Sequence, residues 1–292
     1  MEVKGIDISY CQEGINLLVA AKAGVKFAII RAGFDAKEDK TAYAHIKGCK
    51  ANNIDIGYYW YSYAKTVADA KAEAAACLEF LKKQDRPAYG VWFDVEEGKI
   101  AQANGREVTT DIAIAFMDAI QKGGYPCGLY ANPAYLEQFY NKSRIIGKYD
   151  IWLAHWTENP AQKSRYNYGQ IMWQWGLDKS LYGGVDGDLC FVNMPARTAE
   201  FYKKHGGAVK PTPPVIPETP TQTESGFKVG DIVQFKGGAV YVSSTASTAS
   251  ATKGASRCKV TVTNIRGNHP YHLVSEDGKG VYGWVDSANV RK

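Results

Sequence analysis

Along the first half of the chain, short runs of strand character take turns with longer stretches of helical spacing. Strands are predicted at Val3–Ser9, Phe27–Ala32, Asp55–Tyr63, Gly90–Glu96 and Cys127–Ala131. Helices are predicted between them, at Ile15–Ala23, Thr41–Ala51, Val67–Lys83, Thr110–Lys122 and Pro133–Tyr140. The period of two is plainest over Tyr89–Glu96, where Val91, Phe93 and Val95 alternate with Trp92, Asp94 and Glu96. Local stop and start signals agree. Thr66-x-x-Asp69 reads as a capping box for the third helix, and Gly24 and Gly123 end the first and fourth. After the fifth helix only strands follow, at Ile151–Trp156, Ile171–Trp175 and Val185–Val192. Eight strands, five of them followed by helices, predict an α/β barrel of the (β/α)8 kind whose last units lack helices.

The pattern changes at 208–225. Five of the eleven prolines fall in this Pro/Thr-rich stretch, which predicts an extended, semi-rigid linker. It separates a barrel domain at 1–207 from a small all-β module at 226–292. Short strands are expected there at Asp231–Phe235, Val240–Ser244, Lys259–Ile265, Tyr271–Ser275 and Val281–Val285. Turn signals stand at Gly237-Gly238, Gly267-Asn268 and Asp277-Gly278, and the Ser/Thr/Ala-rich stretch Ser243–Ser256 reads as a flexible loop.

Composition narrows the chemistry. A chain of 292 residues, 45% hydrophobic, has room for one large core and one small one. Its 19 Tyr and 7 Trp exceed what packing requires, and aromatic rings stack on the apolar faces of sugars. The net charge of +5 lies wholly after Gly226, where nine Lys/Arg face four Asp/Glu; the preceding 26 basic and 26 acidic residues cancel. That tail suits a polyanion, but its charges are scattered, so nucleic acid is not the expected partner. The N-terminal residues enter a strand directly, so no secretory signal is expected, and no stretch is long and apolar enough to span a membrane. The six cysteines have no CxxC spacing and are expected to be free, buried thiols. With no HExxH, Walker loop, GxGxxG or GxSxG, neither metal nor cofactor is expected.

The sharpest candidate chemistry is the pair Asp94 and Glu96, two carboxylates on one face at the C-terminal end of an apolar strand. Each raises the other's pKa and desolvation adds to it, so one stays protonated beside an anion. Cleaving a glycosidic bond needs that combination. In a barrel, the strands' C-terminal ends meet at one mouth. There this sequence places Asp7, Ser9, Arg31, Tyr59, Tyr61, Asp94, Glu96, Tyr130, Trp152, Gln174 and, near the start of the last strand, Asp186. Arg31 reads equally well as a structural ion-pair partner, and Asp186 and Asp188 as turn caps among Gly183, Gly184 and Gly187.

Gly5-Ile-Asp-Ile-Ser9 with Gln12, Tyr58-Tyr-Trp-Tyr61, Phe93-Asp-Val-Glu96, Trp173-Gln-Trp175 and Val185-Asp186 together resemble the ordered motifs of glycoside hydrolase family 25, the N-acetylmuramidase lysozymes. The resemblance covers residues 1–205. It implies a (β/α)5β3 barrel that cleaves the β-1,4 bond between N-acetylmuramic acid and N-acetylglucosamine in peptidoglycan. By motif, Glu96 matches the acid/base, Asp94 its partner carboxylate, and Asp7 and Asp186 the two further aspartates. Arg31, Tyr59, Tyr61, Tyr130, Trp152 and Gln174 are expected to bind substrate. One departure is Val185-Asp-Gly-Asp188, where the family has Val-Asp-x-Asn. The tail resembles the bacterial SH3-like cell-wall-binding modules of Gram-positive phage lysins, through Val229–Val233, His269–Leu273 and Val281–Val285. It would hold the enzyme to an anionic wall polymer or wall peptide. A phage endolysin made in the host cytoplasm and released through a holin is the expected origin. Two other readings stand. A chitinase-like glycosidase also ends a strand in Asp-x-Glu, but Tyr89 and Trp92 occupy positions where such enzymes carry acids. A silent wall-binding protein is opposed by the intact Asp7, Asp94, Glu96 and Asp186.

Overall fold

Eight strands of the first unit close on themselves. They are β1 (Val3–Ile8), β2 (Phe27–Phe34), β3 (Asp55–Tyr61), β4 (Val91–Asp94), β5 (Cys127–Ala131), β6 (Ile151–Ala154), β7 (Met172–Asp178) and β8 (Val185–Cys190). Neighbours in sequence pair, and β1 bonds to both β2 and β8. Pairs from β1 to β7 are parallel, whereas β8 is antiparallel to both its neighbours. The connections explain this. Parallel strands need a crossover long enough for a helix, but only residues 179–184 separate β7 from β8, which a hairpin accommodates. This computed structural model describes residues 2–181, 184–205, 227–244, 246–264, 268–277 and 280–291; they form two compact units, before and after the 208–225 stretch. The expected linker lies outside the described residues, as do Gly183, Ile265, Gly267 and Gly278 of the expected turns and strands.

Around the barrel run α1 (Leu17–Lys22), α2 (Ala42–Ala51), α3 (Val67–Lys82), α4 (Gly98–Lys122), α5 (Pro133–Gln138), α6 (Lys142–Ile145) and α7 (Met194–Lys204). The capping box of α3 is formed, Thr66 Oγ1 accepting from Asp69 N at 3.2 Å and Asp69 accepting from Thr66 N at 2.9 Å. Strand alternation sorts the apolar side chains into two cores. Ile6, Ile8, Ala28, Ile30 and Phe93 point outward against the helices; Phe27, Ile29, Trp92, Trp152 and Met172 fill the barrel. Gly5 is required for that filling, because a Cβ there would stand 2.2 Å from the Phe27 ring.

Several boundaries differ from expectation. β4 stops at Asp94, so Glu96 lies in the loop beyond it and not on the strand. β3 stops at Tyr61 and β6 at Ala154, and each residue beyond those points is released from the ladder. α4 begins at Gly98, not Thr110, and bends at Gly105 (φ 70°, ψ 179°), which hides its first segment from a simple period count. Helix α7 was not expected. Its signals are Asn193, whose side chain caps Ala196 N, a proline in the first turn, and buried Met194, Thr198 and Tyr202 at spacing four. It closes the far end of the barrel, with Thr198 and Tyr202 donating to the carbonyls of Ala88 and Pro87 at 3.1 and 2.9 Å. The cysteines are all free, but Cys11 is exposed where burial was expected.

The second unit is all β, with its own core of Val233, Phe235, Cys258, Val260, Leu273 and Val285. A five-stranded sheet runs β14 (Tyr282–Val285), β13 (Tyr271–Ser275), β12 (Ser256–Thr263), β9 (Ile232–Phe235), β15 (Val290–Arg291). A two-stranded sheet pairs β10 (Gly238–Val240) with β11 (Ala251–Lys253). The Ser243–Ser256 stretch therefore contains a strand, against the expectation of an uninterrupted loop.

Candidate active site

Following each strand's inward-facing positions towards the C-terminal end of β1–β7 brings polar groups onto the apolar filling. Asp7, Tyr59, Asp94 and Tyr130 lie at or near these ends, Arg31 and Gln174 sit further back within β2 and β7, and antiparallel β8 adds Asp186 near its start and Asp188 further along. Register sets Asp7 opposite Asp186. The expected residues thus converge on one mouth.

Gln174 organises one side of it. Its amide nitrogen donates to Asp7 Oδ2 at 2.9 Å, and its oxygen accepts from Tyr130 Oη at 3.1 Å and Trp156 Nε1 at 2.9 Å. Asp7 is buried, and burial, with the charges of Asp188 and Asp186, holds its pKa well above the carboxylate range despite the Gln174 bond. Asp188 is fully buried; burial raises its pKa strongly too, and its Oδ1 accepts from Trp152 Nε1 at 2.8 Å. Its Oδ2 has no hydrogen-bond partner, and Asp188 stands close enough to Asp7 to raise that group's pKa. Where three carboxyls crowd a dry site, not all can ionise. Trp152 is covered on its faces and edges by Tyr59, Trp92 and Tyr130. The ring expected to touch substrate is thus a buried support for Asp188.

Asp94 and Glu96 are differently placed. Asp94 is buried, and its Oδ1 meets no donor. Desolvation and the neighbouring Glu96 push its pKa well up, with Arg31 pulling the other way. Glu96, released from the strand, presents its carboxylate to solvent in the mouth. The surrounding walls nonetheless desolvate it, and with Asp186 and Glu97 they raise its pKa. Both carboxyls are raised by burial, and the Glu96 charge further opposes ionisation of Asp94. Asp186, half-buried, is also raised by desolvation.

Arg31 is an ion-pair partner as well as a mouth residue. Its Nε donates to Asp39 at 2.7 Å, and its guanidinium lies over the rings of Tyr10 and Phe34 at 4.6 and 5.1 Å. Burial, with the charges of Asp7 and Asp94, pushes the Tyr59 phenol well up. Tyr61 donates to Glu97 Oε1 at 3.0 Å.

Beside Glu96 opens a cleft of about 550 Å³, walled by Tyr130, Asn132, Trp156, Tyr166, Gln174 and Asp186. Asn132, Trp156 and Tyr166 were not singled out from sequence. Trp156, 52% exposed, was read as the end of a strand; two residues past β6, its ring is free to face the cleft. Asp39 was missed because it follows a strand of only two residues, Lys37–Glu38, which turns back onto β2 and is too short to show a period. Among the described residues, no group of three or more His, Cys, Asp or Glu is arranged to hold a metal ion.

Known proteins resemble this chain in sequence and in fold. The profile of glycosyl hydrolases family 25 matches residues 6–184. A lysozyme of Lactococcus phage mv1 is 28% identical over 202 residues, which is 67% of this chain and 96% of that protein. Among solved structures, the modular autolysin LytC of Streptococcus pneumoniae, crystallised with a synthetic peptidoglycan ligand, is 26% identical with a TM-score of 0.55. That match covers 64% of this chain but only 46% of the autolysin's length. The catalytic domain of endolysin ply40 from Listeria phage P40 shares the fold (TM-score 0.57, 24% identity), with 68% of this chain and 97% of that domain covered.

Proposed function

Given that the chain belongs to glycosyl hydrolase family 25, we propose that it is a peptidoglycan hydrolase, a lysozyme of the N-acetylmuramidase type (EC 3.2.1.17). It cuts the β-1,4 bond between N-acetylmuramic acid and N-acetylglucosamine in Gram-positive walls. Support comes from the phage lysozyme among its relatives and from the autolysin solved with a peptidoglycan ligand. One observation carries the mechanism: a buried carboxylate, Asp94, with an unpartnered oxygen, stands beside an open one, Glu96.

Glu96 protonates the leaving glycosidic oxygen. Asp94 accepts the N–H of the acetamido group on the muramic acid, whose carbonyl oxygen attacks its own anomeric carbon as the bond breaks. Water then opens the oxazolinium ion, Glu96 taking its proton, with net retention. Before substrate arrives, burial favours the protonated form of Asp94. Substrate reverses this, because the amide N–H stabilises the Asp94 anion while the covering sugar desolvates Glu96. Asp7 and Asp186 supply negative potential where the anomeric centre becomes positive.

The second unit, 226–292, is assigned to wall binding as an SH3-like module, with 208–225 as the stalk. Its ligand is an anionic wall polymer or a wall peptide.

Glu96→Gln keeps the shape and removes the proton, and should lower turnover of a soluble muropeptide by ~10²-fold or more. NMR of the first product should show the β-anomer at a muramic acid reducing end. Wild-type turnover in folded Glu96→Gln would remove Glu96 from the role of acid, and an initial α-anomer would make Asp94 the base that activates water.

A further inference from the structure

Two of the buried polar atoms around the mouth that nothing in the protein satisfies are a donor and an acceptor. The donor is Arg31 Nη2 and the acceptor Asp94 Oδ1. Burying either unpaired is costly, and both lie on the barrel's interior side, Arg31 within β2 and Asp94 at the end of β4. Arg31 is also close enough to Asp94 to pull its pKa down against burial. A single small group that accepts from one and donates to the other would satisfy both. A secondary amide does so, offering C=O and N–H on opposite edges.

Arg31 is not free to look elsewhere. Asp39, 1% exposed, takes its Nε at 2.7 Å. Asp39 is itself fixed by Thr41 N and Oγ1 at 2.9 and 2.8 Å and by Tyr10 N at 3.2 Å. The rings of Tyr10 and Phe34 hold the guanidinium plane. One edge of the fork is thereby spent on structure, leaving Nη2 as the unspent donor.

We propose that Arg31, aimed by Asp39, recognises the carbonyl of the N-acetyl group on the sugar whose bond is cleaved, while Asp94 takes the N–H of the same amide. Arg31 is then a specificity-determining residue, and Asp39 a positioning residue acting through it. The proposal rests on the muramidase reading above. It adds that the amide is held at both ends, which aligns its oxygen with the anomeric carbon.

The test is a cycle between protein and ligand, using full-length Glu96→Gln to slow cleavage. Binding of an alternating N-acetylglucosamine–N-acetylmuramic acid tetrasaccharide is compared with its thioacetamido analogue. That analogue keeps the N–H but replaces the carbonyl oxygen by sulfur, a weaker acceptor. The swap should weaken binding several-fold in the parent. Arg31→Gln should weaken acetamide binding by ~10-fold or more, the worth of a charged hydrogen bond. In Arg31→Gln the sulfur swap should then matter less than ~2-fold. Asp39→Asn should lie between, with a sulfur effect reduced but present. A parent indifferent to sulfur, or an equal sulfur effect in parent and Arg31→Gln, overturns the proposal. The first needs no variant beyond Glu96→Gln itself. A parent that binds neither ligand overturns the muramidase reading itself.

Discussion

Asp188 is the residue whose chemistry departs furthest from what its position would lead one to expect. It is a fully buried acid against Trp152, coupled to Asp7 and Asp186. Its folded pKa is raised, so the fold keeps a proton that the unfolded chain releases above about pH 4. Stability from this group is fully present below the unfolded value and is lost as pH rises through the folded one. Asp188→Asn removes that penalty, keeps an acceptor for Trp152 and gives Asp7 a donor. Melting curves should show Asp188→Asn gaining roughly 2–4 °C at pH 7, for about 1 kcal/mol, with the difference closing towards pH 4. A pH-independent offset would mean that packing and not titration is being read. Glu96 allows a second prediction at this scale. Burial, Asp186 and Glu97 raise its pKa. Activity should fall as pH rises through the apparent value of the Asp94–Glu96 pair. Glu97→Gln removes one of these charges and should move the alkaline limb of kcat/KM to lower pH. An unmoved or alkaline-shifted limb would show that Glu97 does not act on the pair.

Among the elements, α4 shows how one residue can separate sequence pattern from structure. Its first segment is tied down independently, Asn104 donating to the Lys65 carbonyl at 3.0 Å with Ala101 buried. Gly105 lets the chain turn between that segment and the main helix by adopting φ 70°, ψ 179°, a region closed to other residues. No atom lies within 4 Å of a Cβ built there, so Gly105→Ala tests conformation alone. It should cost about 1–3 kcal/mol by denaturant titration with little change in m. A neutral result would mean the bend is not required. Helix α7 illustrates a different point. Its apolar stripe is only Met194, Thr198 and Tyr202, too sparse to stand out beside three strands, yet each of these residues meets the barrel floor.

For the molecule as a whole, charge and composition divide the labour. The +5 excess lies entirely after Gly226, and the carboxylate-rich mouth lies entirely before the linker stretch. Each unit has its own core. Residues 226–292 alone should therefore sediment with Gram-positive walls, and less so as salt rises. Residues 1–207 alone should still cut soluble muropeptide but lose activity on intact walls, since tethering supplies local concentration. Tail protein left in the supernatant at low salt, with walls from several hosts, would refute the binding role.

The sequence by itself determined the barrel and the acids at its mouth. Period-two runs, capping signals and the absence of helices after the fifth unit reflect local rules of burial and hydrogen bonding, which act within a few residues. Asp7 and Asp94 were legible because strand alternation and strand ends fix where a side chain emerges, whereas Glu96 lies just past its strand and Asp186 near the start of the last one. Tertiary structure alone decided what each group does there. Trp152 became a buried support because three aromatic rings from other strands enclose it. Arg31 became a clamped donor because Asp39, eight residues on, folds back onto it. Trp156 reached the cleft because β6 ends early, and β8 turned antiparallel because its connection is short. Burial and partnership depend on residues distant in sequence, so no local pattern carries them.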